Sequence, residues 1–429
     1  MKKFLAMLLA LVMALRLVAC GEQKQPDTPD VPDDGEQQQT ASIKVGFITL
    51  HDENSTYDLN FINAAKKAIA DLGLTEDNYI LKTNVPEGQE CYETAMDMVD
   101  KGCNIIFADS FGHEPYMIDA AKENPDVQFC HSTGTRAHTE GLANYHNAFA
   151  SIYEGRYLAG IAAGMKLNEM IEAGEFTAEE AKMGYVGAFT YAEVVSGYTS
   201  FFLGARSVCP TVTMEVTFTG SWYDETLEKT GAELLIDRGC KLISQHTDSF
   251  GAPTACQNAG VPNVSYNGST KNVGADTYII SSRIDWAPYY EYAIKAVMDG
   301  TSIDTDWTGT LATGSVVLEE LNTDVAAAGT AEAIAAATTK LENGELHVFD
   351  VSTFTTRADD TMNTFKVDFL KVDADGHITS YLADVDTDEA YTGDTEVVHD
   401  GYFSESEFRS APYFDLEIDG ITRLDVNFG

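Results

Sequence analysis

Positive charge is scarce in this chain: 27 Lys and Arg stand against 68 Asp and Glu, a formal net charge of −41 at pH 7. A surface that acidic repels nucleic acid and anionic lipid, so neither is expected to be held by its charge. A small neutral ligand is unaffected. The seven cysteines are scattered, with no C-x-x-C pair and no His/Cys cluster at metal spacing. That excludes an ordinary zinc site, and no metal or cofactor is expected. Enzyme signatures are missing as well. There is no G-x-S-x-G elbow, no Walker A lysine loop and no G-x-G-x-x-G after the first strand. His113 and His131 stand alone and read as structural, so no catalytic residue is assigned. Asp359-Asp360 and Asp373-Ala374-Asp375-Gly376 lack the closing Glu of a calcium loop and read as solvated turns. The apolar run at the amino terminus falls short of the roughly twenty residues that a membrane span needs.

What that terminus does contain is Met1-Lys2-Lys3, an apolar stretch over residues 4–15, then Leu17-Val18-Ala19-Cys20-Gly21. A positive start and a short apolar run make a secretory signal. Small residues leading into a cysteine resemble the bacterial lipoprotein signal, in which the thiol is acylated and the cysteine becomes the new amino terminus. Residues 1–20 are therefore expected to be a signal peptide and Cys20 the lipid attachment site, although Arg16 is an unusual charge so near the cleavage point. Residues 21–42, rich in Glu, Gln, Asp and Pro, have no apolar periodicity and read as a flexible tether. The expected location is the extracytoplasmic face of the cell membrane.

From Lys44 onward strands and helices alternate, beginning with Val45-Gly46-Phe47-Ile48-Thr49-Leu50 and an amphipathic helix over residues 61–72. The rhythm restarts after a long helix over residues 153–170, whose Gly160 and Gly164 suit close packing. Two doubly wound α/β units imply two lobes with parallel sheets, and ligands bind outside the carboxyl ends of such strands. Residues 43–145 with 283–312 are expected to form one lobe and 146–282 with 313–345 the other. Residues 346–429 are expected to form a β-rich extension packed on a lobe. The six remaining cysteines fall mostly in apolar patterns and read as buried thiols.

The loops after the strands hold the candidate site. The first offers Ser55, Asp58, Asn60 and Phe61, although Ser55 and Asp58 equally suit a helix N-terminus. Asp109-Ser110-Phe111-Gly112 after one strand is echoed by Asp248-Ser249-Phe250-Gly251 after another. That repeat sets carboxylates on both sides of a cleft, or else supplies two helix caps. Trp222, between a strand and a helix, is a candidate stacking surface.

These loops, with Tyr153-Glu154-Gly155-Arg156-Tyr157-Leu158-Ala159-Gly160, Gly184-Tyr185-Val186-Gly187, Gly220-Ser221-Trp222-Tyr223-Asp224 and Ser282-Arg283-Ile284-Asp285-Trp286, resemble the basic membrane protein (PnrA-like) lipoproteins. These are substrate-binding components of nucleoside ABC importers. The resemblance covers roughly residues 44–318. It implies a type I periplasmic-binding-protein fold with hinge crossovers, a nucleoside or purine ligand between the lobes, ABC permease and ATPase partners, and no catalysis. It assigns Phe61 and Trp222 to a base sandwich, and Asp58, Asn60, Asp109, Ser110 and Asp248 to polar contacts. Asn267 and Asp285 stand where nucleoside-binding members tend to carry Asp and Lys that hold the ribose, which puts ribose recognition in question. A membrane-tethered sensor, or a receptor for another small polar ligand, uses the same features. An exported hydrolase would need a nucleophile–base pair that the sequence does not offer.

Overall fold

The computed structural model describes residues 43–356, 369–385 and 395–428. Residues 1–42, with Cys20, and Asp359-Asp360 lie outside the described residues.

β1 (Val45–Ile48) is buried along its whole length, as a strand covered on both faces must be. Ser55 then caps α1 (Thr56–Asp71), accepting the backbone N–H of Asp58 at 3.1 Å. The helix turns Phe61, Ile62, Ala65, Ala68 and Ile69 toward the core, one stripe at helical spacing. β2 (Tyr79–Lys82), α2 (Gln89–Asp100), β3 (Ile105–Ala108), α3 (Glu114–Glu123), β4 (Gln128–Ser132), the short α4 (Ala137–Glu140) and β5 (Tyr145–Ala150) continue the alternation.

α5 (Ile152–Glu172) leads to a second unit: β6 (Lys182–Gly187), α6 (Ala192–Val208), β7 (Thr213–Phe218), α7 (Glu225–Asp237), β8 (Leu242–His246), α8 (Gly251–Ala259), β9 (Asn263–Tyr266) and β10 (Tyr278–Ile284). The chain returns through α9 (Ala287–Asp299) to β11 (Asp306–Gly309), crosses again to β12 (Val316–Leu318), and runs into α10 (Thr330–Glu342). The first sheet has the order β11-β5-β4-β3-β1-β2 and is parallel throughout. In the second, β12-β10-β9-β8-β6-β7 are joined in that order, with β12 antiparallel. The chain thus passes between the sheets at α5, at α9 and between β11 and β12. Passages of this kind form a hinge beneath a cleft.

α5 and α6 lie backbone to backbone. A Cβ on Gly160 would sit 2.1 Å from the Phe201 carbonyl oxygen, and one on Gly204 would sit 2.0 Å from that of Tyr157. The first unit's core gathers Phe47, Phe61 and Phe107 with Trp286, Tyr289 and Tyr290 from α9 and the turn before it. The second core joins Tyr157, Phe201 and Met214 to residues of the carboxyl-terminal segment, among them Phe349, Tyr381, Phe403 and Phe414. That segment contributes β13 (Leu370–Val372), β14 (Ile378–Ala383), β15 (Thr395–Glu396), β16 (Val398–His399), β17 (Tyr402–Phe403) and β18 (Ile421–Arg423). β18 extends the second sheet, pairing in parallel with β7. Asp373, read above as part of a solvated turn, accepts the backbone N–H groups of Asp375 and His377. Six cysteines are buried free thiols. Among the described residues, no helix is long and apolar enough to cross a membrane.

Candidate functional site

The carboxyl ends of β1, β3 and β4 face those of β6, β7, β8 and β9 across one cleft. A small cavity lies between them. From the first unit it is lined by Leu50, Tyr57, Asp58, Ser110, Phe111 and Thr133, and from the second by Glu193, Trp222, His246, Asp248 and Asn267. Thr56 seals one side, its N–H and hydroxyl both donating to the Asp248 carbonyl, at 3.0 and 3.2 Å.

Each wall residue is held from behind. Asp58 is buried, which alone would raise its pKa. It accepts the His51 N–H at 2.7 Å and the Ser55 hydroxyl at 2.5 Å, and these bonds with the His51 ring hold it below the usual carboxylate range. Asp248 is also buried, and burial followed by the charges of Asp58, Glu228 and Glu193 pushes its carboxyl well above that range, against one bond from Asn267 Nδ2 at 3.2 Å. One carboxyl is thus biased toward a charged acceptor and the other toward a neutral donor. His246 lies beside Glu193, Nε2 to Oε1 3.4 Å, with burial lowering its pKa. The Thr133 hydroxyl is buried without a hydrogen-bond partner, so it is free to bond a ligand. Trp222 packs edge-on against Phe189 at 5.1 Å, and Tyr191 stacks on Phe111 at 5.0 Å. The result is an aromatic surface spanning both units.

The repeated Asp-Ser-Phe-Gly loops share a support that the sequence did not reveal. Glu87 accepts from the Ser110 hydroxyl and the Gly112 N–H. Glu228 accepts from the Ser249 N–H and, at 3.1 Å, from the Asp224 N–H. Each loop is pinned by a glutamate from a neighbouring element.

Of the expected site residues, Asp58, Ser110, Trp222, Asp248 and Asn267 meet at this cavity. Phe61 does not reach it. Its ring is 1 % exposed and stacks on Trp286 at 4.5 Å. Phe61 lies one turn beyond Asp58 on the same buried stripe, so it faces the sheet while Asp58 emerges at the sheet's end. A sandwich of Phe61 with Trp222 is therefore not formed here, and Tyr57 and Phe111 supply the first unit's aromatic surface. Asp109 sits behind the wall, accepting the Leu50 N–H at 3.1 Å, while burial and then the charge of Asp58 drive its carboxyl well above the ordinary range. Asn60 and Asp285 line a separate groove with Arg283 and Glu319. There Asn60 donates to the Asn267 carbonyl at 2.6 Å and Asp285 accepts the Ala287 N–H.

Glu193, His246, Thr133 and Tyr57 were missed. The available signal was position, because His246 ends β8 and Glu193 opens α6 directly after a strand-end loop. Among the described residues no group of His, Cys, Asp or Glu is arranged to hold a metal ion.

A profile of the Bmp family, described as ABC transporter substrate-binding protein PnrA-like, matches residues 47–350. A purine-binding protein of Brucella abortus is 33 % identical over 262 residues, covering 60 % of this chain and 70 % of that protein. A putative ABC transporter glucose-binding protein of Haloferax volcanii is 34 % identical over 258 residues, 60 % of this chain and 62 % of the relative. Among solved structures, an ABC transporter solute-binding protein from Aeropyrum pernix superposes with a TM-score of 0.60 at 18 % identity, covering 76 % of this chain and 96 % of the other. One from Conexibacter woesei gives 0.56 at 21 %, with 71 % and 98 % coverage. These two share the fold, the two-lobed architecture of periplasmic binding proteins.

Proposed function

The chain belongs to the PnrA-like family of ABC transporter substrate-binding proteins, and from that premise we propose that it captures a purine base or nucleoside between its lobes and delivers it to a membrane permease. The observation that carries this reading is the lining of the cavity, which combines aromatic surface from Tyr57, Phe111 and Trp222 with two carboxyls held in opposite protonation tendencies, Asp58 and Asp248. A purine offers a π-face to the rings. Its edge carries both N–H donors and ring-nitrogen acceptors, which suit a charged carboxylate and a protonated carboxyl respectively. The purine-binding relative in Brucella abortus points to the same ligand class; the putative glucose-binding relative in Haloferax volcanii makes sugars the necessary control.

The protein acts as a receptor, without turnover, held at the extracytoplasmic face by a lipid on Cys20 with residues 21–42 as tether. The composition of residues 1–42 supports this placement. The tether gives the binding body reach to a permease–ATPase complex. Thermal melting against purines, nucleosides, sugars and amino acids tests the proposal. Stabilisation by purines or nucleosides supports it, and stabilisation by sugars or amino acids alone refutes it.

A further inference from the structure

The two units share a backbone feature at the cavity. β4 lies between β3 and β5, and β9 lies between β8 and β10, so they hold equivalent places in their sheets. The residue directly after each strand, Thr133 and Asn267, takes a left-handed backbone, with φ of 71° and 67°. Each then bonds the neighbouring strand: the Thr133 N–H donates to the Ala148 carbonyl at 3.1 Å and the Asn267 N–H to the Ser282 carbonyl at 2.9 Å. Both residues are buried, and both line the cavity, one from each unit. The fold thus calls for the same left-handed turn twice.

The units fill that turn differently. Asparagine tolerates the left-handed region, and the Asn267 side chain is bonded, its Nδ2 donating to Asp248 at 3.2 Å. Threonine is β-branched and strained there. Among the described residues the other non-glycine positions of positive φ are Asn84, Asp400 and Ser406, none of them β-branched. The turn that follows Thr133 enforces the strain. The buried Glu114 carboxylate accepts the N–H groups of Thr135 and Arg136, each at 2.9 Å, and the Tyr145 hydroxyl at 3.0 Å. The chain presses so closely on this carboxylate that a Cβ on Gly134 would sit 2.6 Å from Glu114 Oε1. Thr133 itself is 3 % exposed, yet its hydroxyl has no hydrogen-bond partner among the described residues. Glycine would remove the strain, and any side chain without a hydroxyl would remove the unbonded polar atom. Two separate penalties therefore fall on one side chain at the cavity wall, and stability alone accounts for neither. Strained residues held by their surroundings concentrate where ligands are gripped.

We infer that Thr133 is a ligand-binding residue, kept in a strained backbone so that its hydroxyl hydrogen-bonds the edge of the bound purine. This deepens the purine reading above and rests on it. A hydroxyl both donates and accepts, so it can meet a ring nitrogen, an amino group or an oxo group of that edge.

The test pairs thermal melting of the ligand-free protein with calorimetric titration of adenine, guanine and their ribonucleosides, all on the whole protein in detergent. Thr133→Gly should melt at or above the wild-type midpoint, because it relieves the strain, and yet bind the purine ligand at least about fivefold more weakly. Thr133→Val, which keeps the shape and lacks the hydroxyl, should show a similar loss of affinity. Thr133→Ser, which keeps the hydroxyl, should bind within about twofold of the wild type. A lowered midpoint in Thr133→Gly would make Thr133 a structural anchor and overturn the inference. Wild-type affinity in Thr133→Val would overturn it too, and either result leaves the purine reading intact. If the wild type binds neither bases nor nucleosides, the purine reading falls and this inference with it.

Discussion

Thr56 donates its backbone N–H to the carbonyl of Asp248 across the cleft, 3.0 Å away, so the first turn of α1 and the loop after β8 meet beside the cavity. Asp248 lines that cavity opposite Asp58, its carboxyl bonded by Asn267.

The two carboxyls should respond differently to amidation. Asp248 is pushed toward its neutral form by burial, so Asp248→Asn keeps an uncharged group that can donate, and purine affinity should fall by less than about fivefold. Asp58 is held charged by donors from His51 and Ser55, so Asp58→Asn turns an amide against those donors. A loss of tenfold or more is expected. Calorimetric titration of both variants checks the order, and a larger loss at Asp248 would contradict it.

Phe61 and Trp222 should separate stability from binding. Phe61→Ala removes a buried ring stacked on Trp286 and should cost about 3–5 kcal/mol in denaturant unfolding. Trp222 is only partly buried, so Trp222→Ala should cost less stability while weakening purine binding by about 1–3 kcal/mol. Unfolding curves and titrations on the same preparations read both quantities.

His113 gives a signed pH effect. Burial lowers its pKa to about 4, with Nε2 held against the Val85 carbonyl at 2.9 Å. The folded pKa lies below the unfolded value near 6.5, so as pH falls the unfolded chain takes up the proton first. The contribution of His113 is therefore complete above about pH 6.5 and is lost progressively down to about pH 4, a change of about 3 kcal/mol. His113→Gln should remove that slope from urea unfolding measured between pH 7 and pH 4. An unchanged slope would contradict the assignment.

The alternation of strand and helix was legible from Val45 onward because both sheets are buried on two faces and their strands are continuous apolar runs. The strand-end rule pointed to Asp58, Ser110, Trp222, Asp248 and Asn267, which the structure brings together at one cavity. It failed for Phe61, where a single helical turn decides between wall and core, and for Asn60 and Asp285, which belong to a neighbouring groove. The pinning roles of Glu87 and Glu228 were invisible because each rests on a backbone N–H of a loop remote in sequence, Gly112 and Ser249, and such bonds leave no pattern in the sequence.

Cys20→Ser should shift the protein from the membrane fraction to the soluble extracytoplasmic fraction. Retention in the membrane without acylation would contradict the lipid anchor.

The central claim is tested most directly by titrating adenine and adenosine into the wild-type protein and into Trp222→Ala side by side. The account predicts saturable one-site binding to the wild type that is weakened at least about fivefold in the variant. Heat from glucose but none from any purine, or purine binding indifferent to Trp222, would contradict it.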